Sequence, residues 1–381
     1  MSEHLTRICF VGRFDPKLCD GVSRSMFDLF LFLREQGCRP SILSFMDDNF
    51  LCWDRLHHLI HLSGSEIFSA GEDYCEASFR GLDIYYKILK CDQRQAQSAH
   101  PEVMKHVMTK LDEFRDAYIF TCDGEITGLI AKSISGARGA HYFHSPIYIS
   151  LYQGNTKYRT ILEQRTVFAG SRFSQAELKK STGIDAVIWP PFINFEEVQS
   201  RKSEDKGRVI GYYSAGWHKG DEIINKLVNT MADCQFIAMG RYDHDASEKL
   251  PGNLEIWRNV TDTRLFYEKI KIMLVPSIGM EGFSRVIIEA AANGIPTIAN
   301  RVGGIDEALG ESGIIIDIDK KEKVDADELT RQYTLAIKKL LGNEEIYRDY
   351  SQKALRRAEK FQQEQYRISH SLYKTHVLMG S

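Results

Sequence analysis

The chain has 381 residues, 49 basic and 52 acidic side chains and a net charge of −3. That length suits two domains of roughly 100–200 residues each, and the near-neutral balance removes the electrostatic case for a nucleic-acid partner. Eight cysteines, at 9, 19, 38, 52, 75, 91, 122 and 234, form no CxxC pair. This argues against a zinc site or disulfide scaffold and for a reducing, cytoplasmic setting. The opening MSEHLTR has no apolar signal core, and no apolar run approaches the ~18 residues of a spanning helix. A soluble protein is expected, with peripheral membrane contact left open.

Arg7 to Gly12 reads as a first strand, followed by a long turn to Gly21 and an amphipathic helix over Val22 to Gln36, stopped by Gly37. Ser41 to Phe45 is the next strand. The glycines at 12 and 21 are nine apart and do not make GxGxxG, so a dehydrogenase lacks its fingerprint. Asp47 to Pro101 mixes short strands with polar turns. It holds His57, His58 and His61; His57 and His61, four apart, could share a helix face and a metal, but no third ligand is in view and a solvated face is the plainer reading. Glu102 to Phe114 and Ile126 to Ser135 read as helices, and Ala117 to Thr121 and Ala140 to Phe143 as strands. His144 follows the second of these strands, at the rim where open α/β sheets gather ligands; His141, inside it, reads as structural. Tyr158 to Phe168 reads as a helix, Ser174 as the cap of another over Gln175 to Lys180, and Ala186 to Trp189 as a strand. Pro190-Pro191 fixes an extended backbone and suits the join between domains.

A second β-first unit starts at Arg208 to Tyr213. Its turn, SAGWHKG, leads into a helix from Asp221. Cys234 to Met239 and Leu254 to Trp257 are strands, and Thr261-Asp262 opens a helix through Tyr267. The stretch that organises the chain is EGFSRVIIEAAANG, Glu281 to Gly294, behind the apolar strand Ile272 to Pro276. Ser284 is a candidate N-cap, Arg285 to Ala292 the helix, and Asn293-Gly294 its stop. A helix apolar almost all round is buried, yet Glu289 sits inside it. A buried carboxylate without a partner is too costly to keep, so Glu289 must meet a protein cation or a ligand. Ligand contact is favoured, because the feeding strand ends where ligands gather. Glu281 stands eight positions earlier, on the loop. Between the two, Gly282, Phe283 and Ser284 bring free N–H groups and the helix dipole to bear on an anion such as phosphate. Further on come strands at Ile295 to Ala299 and Gly313 to Asp317. Helices follow over Glu328 to Leu341 and Glu345 to Phe361, and the last run continues to His376.

The Glu281–Glu289 stretch resembles the E-x7-E region of retaining GT-B glycosyltransferases of the family-four, group 1 kind. The likeness extends through Gly294-Ile295-Pro296-Thr297 and Gly303-Gly304-Ile305-Asp306-Glu307, and its sharp part covers about the last third of the chain. It implies an α/β protein of two Rossmann-like domains with parallel sheets facing an interdomain cleft. The expected divisions are an acceptor domain over 1–190, a donor domain over 195–355 and a C-terminal helix over 356–381 that returns to the first domain.

The resemblance also implies roles. Lys219-Gly220 matches the family's KG pair, so Lys219 would pair with the donor diphosphate, with His218 beside it. The arginine that many relatives carry after the strand glycine is replaced by Tyr212. Glu289 would take the ribose hydroxyls, Phe283 and Ser284 the diphosphate, and Val260 would lie by the base. Glu281 and His144 would position the sugar, and Gly21 would lie at the turn that approaches donor and acceptor. The implied reaction moves a sugar from a nucleotide-diphosphate sugar, UDP by default, to the hydroxyl of a glycan, lipid or small-molecule acceptor. Configuration would be retained, and neither metal nor cofactor would be needed. A GT-B epimerase or phosphorylase, or a non-catalytic GT-B binding protein, are the alternatives.

Overall fold

The structure is a computed structural model. It describes residues 6–14, 20–47, 66–71, 74–79, 81–89, 101–124, 126–200, 207–241, 250–258, 260, 262–318 and 324–378. The three clustered histidines at 57, 58 and 61, and the cysteines at 19, 52 and 91, lie outside these residues. Two compact units divide the chain. One comprises Met1–Phe192 with Arg367–Ser381, the other Ile193–Tyr366.

Unit 1 is built on β1 (Arg7–Gly12), β2 (Arg39–Asp47), β3 (Glu66–Ala70), β4 (Tyr74–Phe79), β5 (Leu82–Leu89), β6 (Tyr118–Cys122), β7 (Gly139–Phe143), β8 (Thr166–Ala169) and β9 (Val187–Ile188). They form one sheet in the order β3-β4-β5-β2-β1-β6-β7-β8-β9. Only the β3–β4 and β4–β5 pairs are antiparallel. Such a sheet buries both faces, and β1 and β6 are accordingly continuous apolar runs with buried interiors. The helix Gly21–Glu35 follows β1, capped by Asp20 accepting from Ser23 N at 2.8 Å. Its Met26, Phe27, Phe30 and Leu33 pack on the sheet with Phe10, Phe79 and Phe120. Fully burying side chains of this kind contributes about 1.5–3 kcal/mol each.

Unit 2 contains β10 (Val209–Ala215), β11 (Gln235–Arg241), β12 (Leu254–Trp257), β13 (Ile272–Val275), β14 (Thr297–Asn300) and β15 (Gly313–Ile316). All are parallel, in the order β12-β11-β10-β13-β14-β15. This is the doubly wound Rossmann order, and its direction reverses between β10 and β13. One apolar layer, with Phe266, Ile287 and Phe361, covers one side of the sheet; another, with Ile224, Leu227 and Tyr333, covers the other. The helix Glu344–Leu372 runs on past unit 2, and from Arg367 the chain belongs to unit 1. There Trp189 Nε1 donates to Ser369 Oγ at 2.8 Å and Tyr373 OH to Gln36 O at 3.1 Å.

Most element expectations hold to within two or three residues. The helix expected over Tyr158 to Phe168 is instead Thr156–Glu163 followed by β8, because Val167 and Phe168 are an apolar pair drawn into the sheet beside β7. The N-cap of the next helix is Ser171, whose Oγ accepts from Ser174 N at 3.0 Å, so Ser174 is the capped residue and not the cap.

Candidate functional site

In unit 2 the turn after β10 and the loop after β13 both lie at strand C-terminal ends, on either side of the order reversal. Gly220 closes the first of them and makes its tight path possible. Its φ is +93°, and a Cβ there would come within 2.2 Å of Pro276 O. The turn is bonded to the loop: Ile278 N and Gly279 N donate to His218 O at 2.9 and 3.1 Å. This brings Lys219 Nζ onto Glu281 Oε1 as a hydrogen-bonded ion pair. Ser277 Oγ also donates to Oε1, at 2.6 Å. Both bonds converge on one carboxylate oxygen, so Oε2 retains its acceptor capacity.

The loop itself is braced from below. Asn300, at the end of β14, donates from Nδ2 to Ser277 O at 3.1 Å and accepts from Tyr333 OH at 3.1 Å. Behind Glu281, Gly304 N donates to Glu281 O at 2.9 Å. Gly303 has φ +57°, and a Cβ there would lie 2.0 Å from the same carbonyl. The paired glycines seen in the sequence thus serve the backbone of Glu281. Gly303→Ala is expected to cost more than about 1 kcal/mol. In thermal melts that would be a drop of at least ~2–4 °C; an unchanged Tm would refute the close approach.

His218 is half-buried. Burial first, and then the charge of Lys219, hold its ring below the ordinary histidine range. At neutral pH it is therefore a neutral donor or acceptor. It does not supply a second permanent cation in place of the arginine missing after Gly211.

Phe283 is buried and stacks on Phe361, with ring centroids 5.3 Å apart. Gly282 and Ser284 are buried beside it. Ser284 occupies the N-cap position of the helix Arg285–Ala292, but its side chain makes no capping bond. The expected hydroxyl cap is absent because its backbone, at φ −49° and ψ 96°, departs from the usual extended cap geometry. The N–H groups of Phe283 and Ser284 precede the first helical bond, Ile287 N to Ser284 O at 3.2 Å.

Glu289 is 6% exposed, as its place in an apolar helix requires. Both its oxygens are met by the protein. Arg285 Nε donates to Oε1 at 3.2 Å, and Tyr267 OH donates to Oε2 at 2.8 Å. An intramolecular cation and a phenol thus meet the buried charge, so burial by itself does not require a ligand. Arg285 is four residues before Glu289, one helical turn away, and that spacing is the signal that would have found it. Tyr267, on the helix Arg264–Lys269, carries no such local signal. A carboxylate has about four lone-pair sites, so two protein donors leave capacity for hydroxyls. Glu281 and Glu289 have separate partners and are not joined to each other. Val260 is half-buried against the same apolar layer as Phe266 and Ile287.

In unit 1, Gly21, Ser25 and His144 meet beside β1, β6 and β7. His144 Nε2 lies 2.7 Å from Ser25 Oγ, and Ser25 Oγ donates to Gly21 O at 2.6 Å. Gly21 opens its helix without a positive φ, so it is no left-handed turn glycine. A Cβ there would touch His144 Cε1 at 3.9 Å, an ordinary contact. Asp123 Oδ1 accepts from the N–H groups of His144 and Ser145 at 2.7 and 2.8 Å. The sequence reading singled out Gly21 and His144 and missed Ser25 and Asp123, which lie 119 and 21 residues from His144. His141 is fully buried, and its surroundings press its pKa down to about 3, burial being the main cause. It is a neutral structural ring, as expected.

Residues 218–334 match the family described as glycosyl transferases group 1. A stretch of 97 residues is 33% identical to an "uncharacterized 42.6 kDa protein in cps region" of Klebsiella pneumoniae, covering 24% of this chain and 25% of that protein. The match thus spans about a quarter of that relative's length. The fold is shared along nearly the whole chain. Sucrose-phosphate synthase from Thermosynechococcus elongatus superposes with a TM-score of 0.69 at 15% identity, covering 97% of this chain and 99% of that one. A glycosyltransferase from Rickettsia africae gives 0.67 at 16%, covering 99% and 100%. Anabaena HepE in complex with UDP gives 0.62 at 17%, covering 97% and 100%. No described helix is long and apolar enough to cross a membrane.

Proposed function

We propose that the chain is a GT-B glycosyltransferase, a reading its group 1 match and its fold support, and that it transfers a sugar from a nucleotide-diphosphate sugar to an acceptor hydroxyl with retention. The observation that carries this reading is the meeting of Lys219 and Glu281 where the sheet order of unit 2 reverses. There an ammonium, a carboxylate and the start of a buried helix converge. Lys219 and the N–H groups of Phe283 and Ser284 suit a diphosphate. Glu281 Oε2 suits a sugar hydroxyl, and the spare lone pairs of Glu289 suit the ribose. UDP is the nucleotide favoured, on the strength of a structural neighbour solved with UDP and UDP-glucose.

In the proposed step the bond from the sugar's C1 to the diphosphate oxygen breaks as the acceptor oxygen attacks the same face. The acceptor's proton passes to the departing phosphate. Lys219 and the helix N-terminus stabilise the charge that builds on the leaving group. No divalent ion is assigned a part, and transfer that persists in EDTA would support this.

One observation favours a second reading. Arg285 and Tyr267 already meet the charge of Glu289 from within the protein, as a non-catalytic GT-B binding protein would allow. Thermal melts against UDP, GDP and ADP address both. A ligand that binds only the folded state adds about 2.7 kcal/mol at a hundred times its Kd. A shift with UDP, followed by sugar transfer with retained anomeric configuration, is the expected result. No shift with any diphosphate would overturn the donor site, and inverted product would overturn retention.

A further inference from the structure

The backbones under Lys219 and Glu281 are tied in place. The turn carrying Lys219 is bonded to the loop after β13 by Ile278 N and Gly279 N, which donate to His218 O at 2.9 and 3.1 Å. Further along the same loop Gly304 N donates to Glu281 O at 2.9 Å. Both ends are close-packed: a Cβ at Gly220 would lie 2.2 Å from Pro276 O, and one at Gly303 2.0 Å from Glu281 O. What can turn is the lysine side chain, a compact ammonium on a flexible four-carbon stem. The carboxylate oxygen it meets, Oε1, also accepts from Ser277 Oγ at 2.6 Å. Glu281 therefore keeps a donor when the ammonium swings away.

The ion pair lies mostly out of solvent, with side chains 24% and 11% exposed. Water and salt screen such charges less than surface ones. A phosphate arriving at Lys219 thus meets the carboxylate as well. It must draw the ammonium at least partly off Glu281 and stand near a like charge. The cost depends on what the phosphate carries. In a sugar nucleotide the outer phosphate is a diester with a single negative charge, and the sugar on it brings hydroxyls that can donate to a carboxylate. After transfer the same phosphate is terminal. Its second ionisation lies near pH ~6, so at neutral pH it carries about −1.5 to −2, and the hydroxyls have left with the sugar.

We propose that Glu281 competes with the diphosphate for Lys219, and so makes the site hold a sugar-loaded donor in preference to the sugar-free nucleoside diphosphate. The carboxylate is compensated by sugar hydroxyls before transfer and faces a more highly charged phosphate after it, which hastens product release. The proposal rests on the donor-site reading of Lys219 and Glu281, but the competition within the pair is measured by binding alone, without any transfer.

Titration calorimetry with UDP, GDP and ADP, and with their glucose esters, tests this on the parent and on Glu281→Gln. The variant loses the charge but keeps an oxygen that accepts from Ser277 and Lys219, so it should melt close to the parent. The nucleoside diphosphate that binds is expected to bind about three- to thirtyfold more tightly to Glu281→Gln, and its glucose ester no more tightly than to the parent. In a Lys219→Ala background the same exchange should change the affinity less than about twofold. The gain should also shrink between pH ~7.5 and ~5.5, as the terminal phosphate loses its second charge. Equal or weaker binding of the diphosphate by Glu281→Gln overturns the proposal and leaves the donor site standing. An undiminished gain without Lys219 does the same, since plain repulsion needs no lysine. A gain that is as large for the glucose ester, or indifferent to pH, overturns the preference for loaded donor. Absence of binding by all three diphosphates to both parent and variant overturns the donor-site reading, and the proposal with it.

Discussion

Replacing Lys219 with alanine is expected to lower kcat/KM between ten- and somewhat over a hundredfold, with only a modest change in Tm. A hydrogen bond to a charged group contributes about 1.5–3 kcal/mol, and each ~1.4 kcal/mol of lost transition-state stabilisation is tenfold in rate. The stability cost is small because the Lys219 side chain is a quarter exposed, at 24%, and its partner Glu281 keeps Ser277 as a donor at 2.6 Å. Lys219→Arg should recover only part of the loss, since a planar fork replaces a compact charge in a turn closed by Gly220. Normal turnover by the alanine variant would remove Lys219 from the reaction and leave it as a brace for Glu281.

Glu289→Ala is expected to have the largest effect of any single change, and much of it falls on stability. Removing one member of a buried ion pair costs about 3–5 kcal/mol, because the other charge stays behind uncompensated. Here Arg285, with its side chain 5% exposed, loses its bond to Oε1, and Tyr267 OH loses its bond to Oε2. Loss of activity in that variant says nothing by itself about ribose. The decisive comparison is Arg285→Met/Glu289→Leu/Tyr267→Phe, which exchanges the whole polar cluster for apolar side chains. Such exchanges are often neutral or stabilising, so Tm should return to near that of the parent. If Glu289 also receives ribose hydroxyls, the triple variant stays at least tenfold impaired in donor KM or kcat/KM. Recovery of activity along with Tm would make Glu289 a structural residue, and the ribose assignment would fall.

The organisation of unit 2 was legible because its information is local. Ile272 to Val275 is too short and apolar to be anything but a buried strand, and Arg285 to Ala292 is bounded by Ser284 and Asn293-Gly294. The alternation of such runs with amphipathic helices is enough to read a doubly wound sheet. The site residues were legible as types at strand ends, which is where His218, Lys219, Glu281 and His144 all stand. Their partners were not. Lys219 and Glu281 are 62 residues apart, Tyr267 and Glu289 22, Ser25 and His144 119. Arg285 with Glu289 is the exception, a one-turn pair written in the chain and outweighed by the attraction of a ligand reading.

The chain on its own settled what depends on neighbours within a turn or a strand. That covers the periodicity of each element, the glycines that end helices, and the improbable carboxylate inside an apolar helix. Beyond the one-turn pair with Arg285, it could not say what that carboxylate meets, because a buried charge requires a partner without specifying one. Folding supplied the answer by bringing separate elements together: Tyr267 reaches Glu289, Lys219 reaches Glu281, and Ser25 with Asp123 fixes His144. Strand order belongs to the same class of fact. Which strands flank β10 and β1 is decided by the packing of helices on both sheet faces, and that order puts these side chains where the sheets reverse.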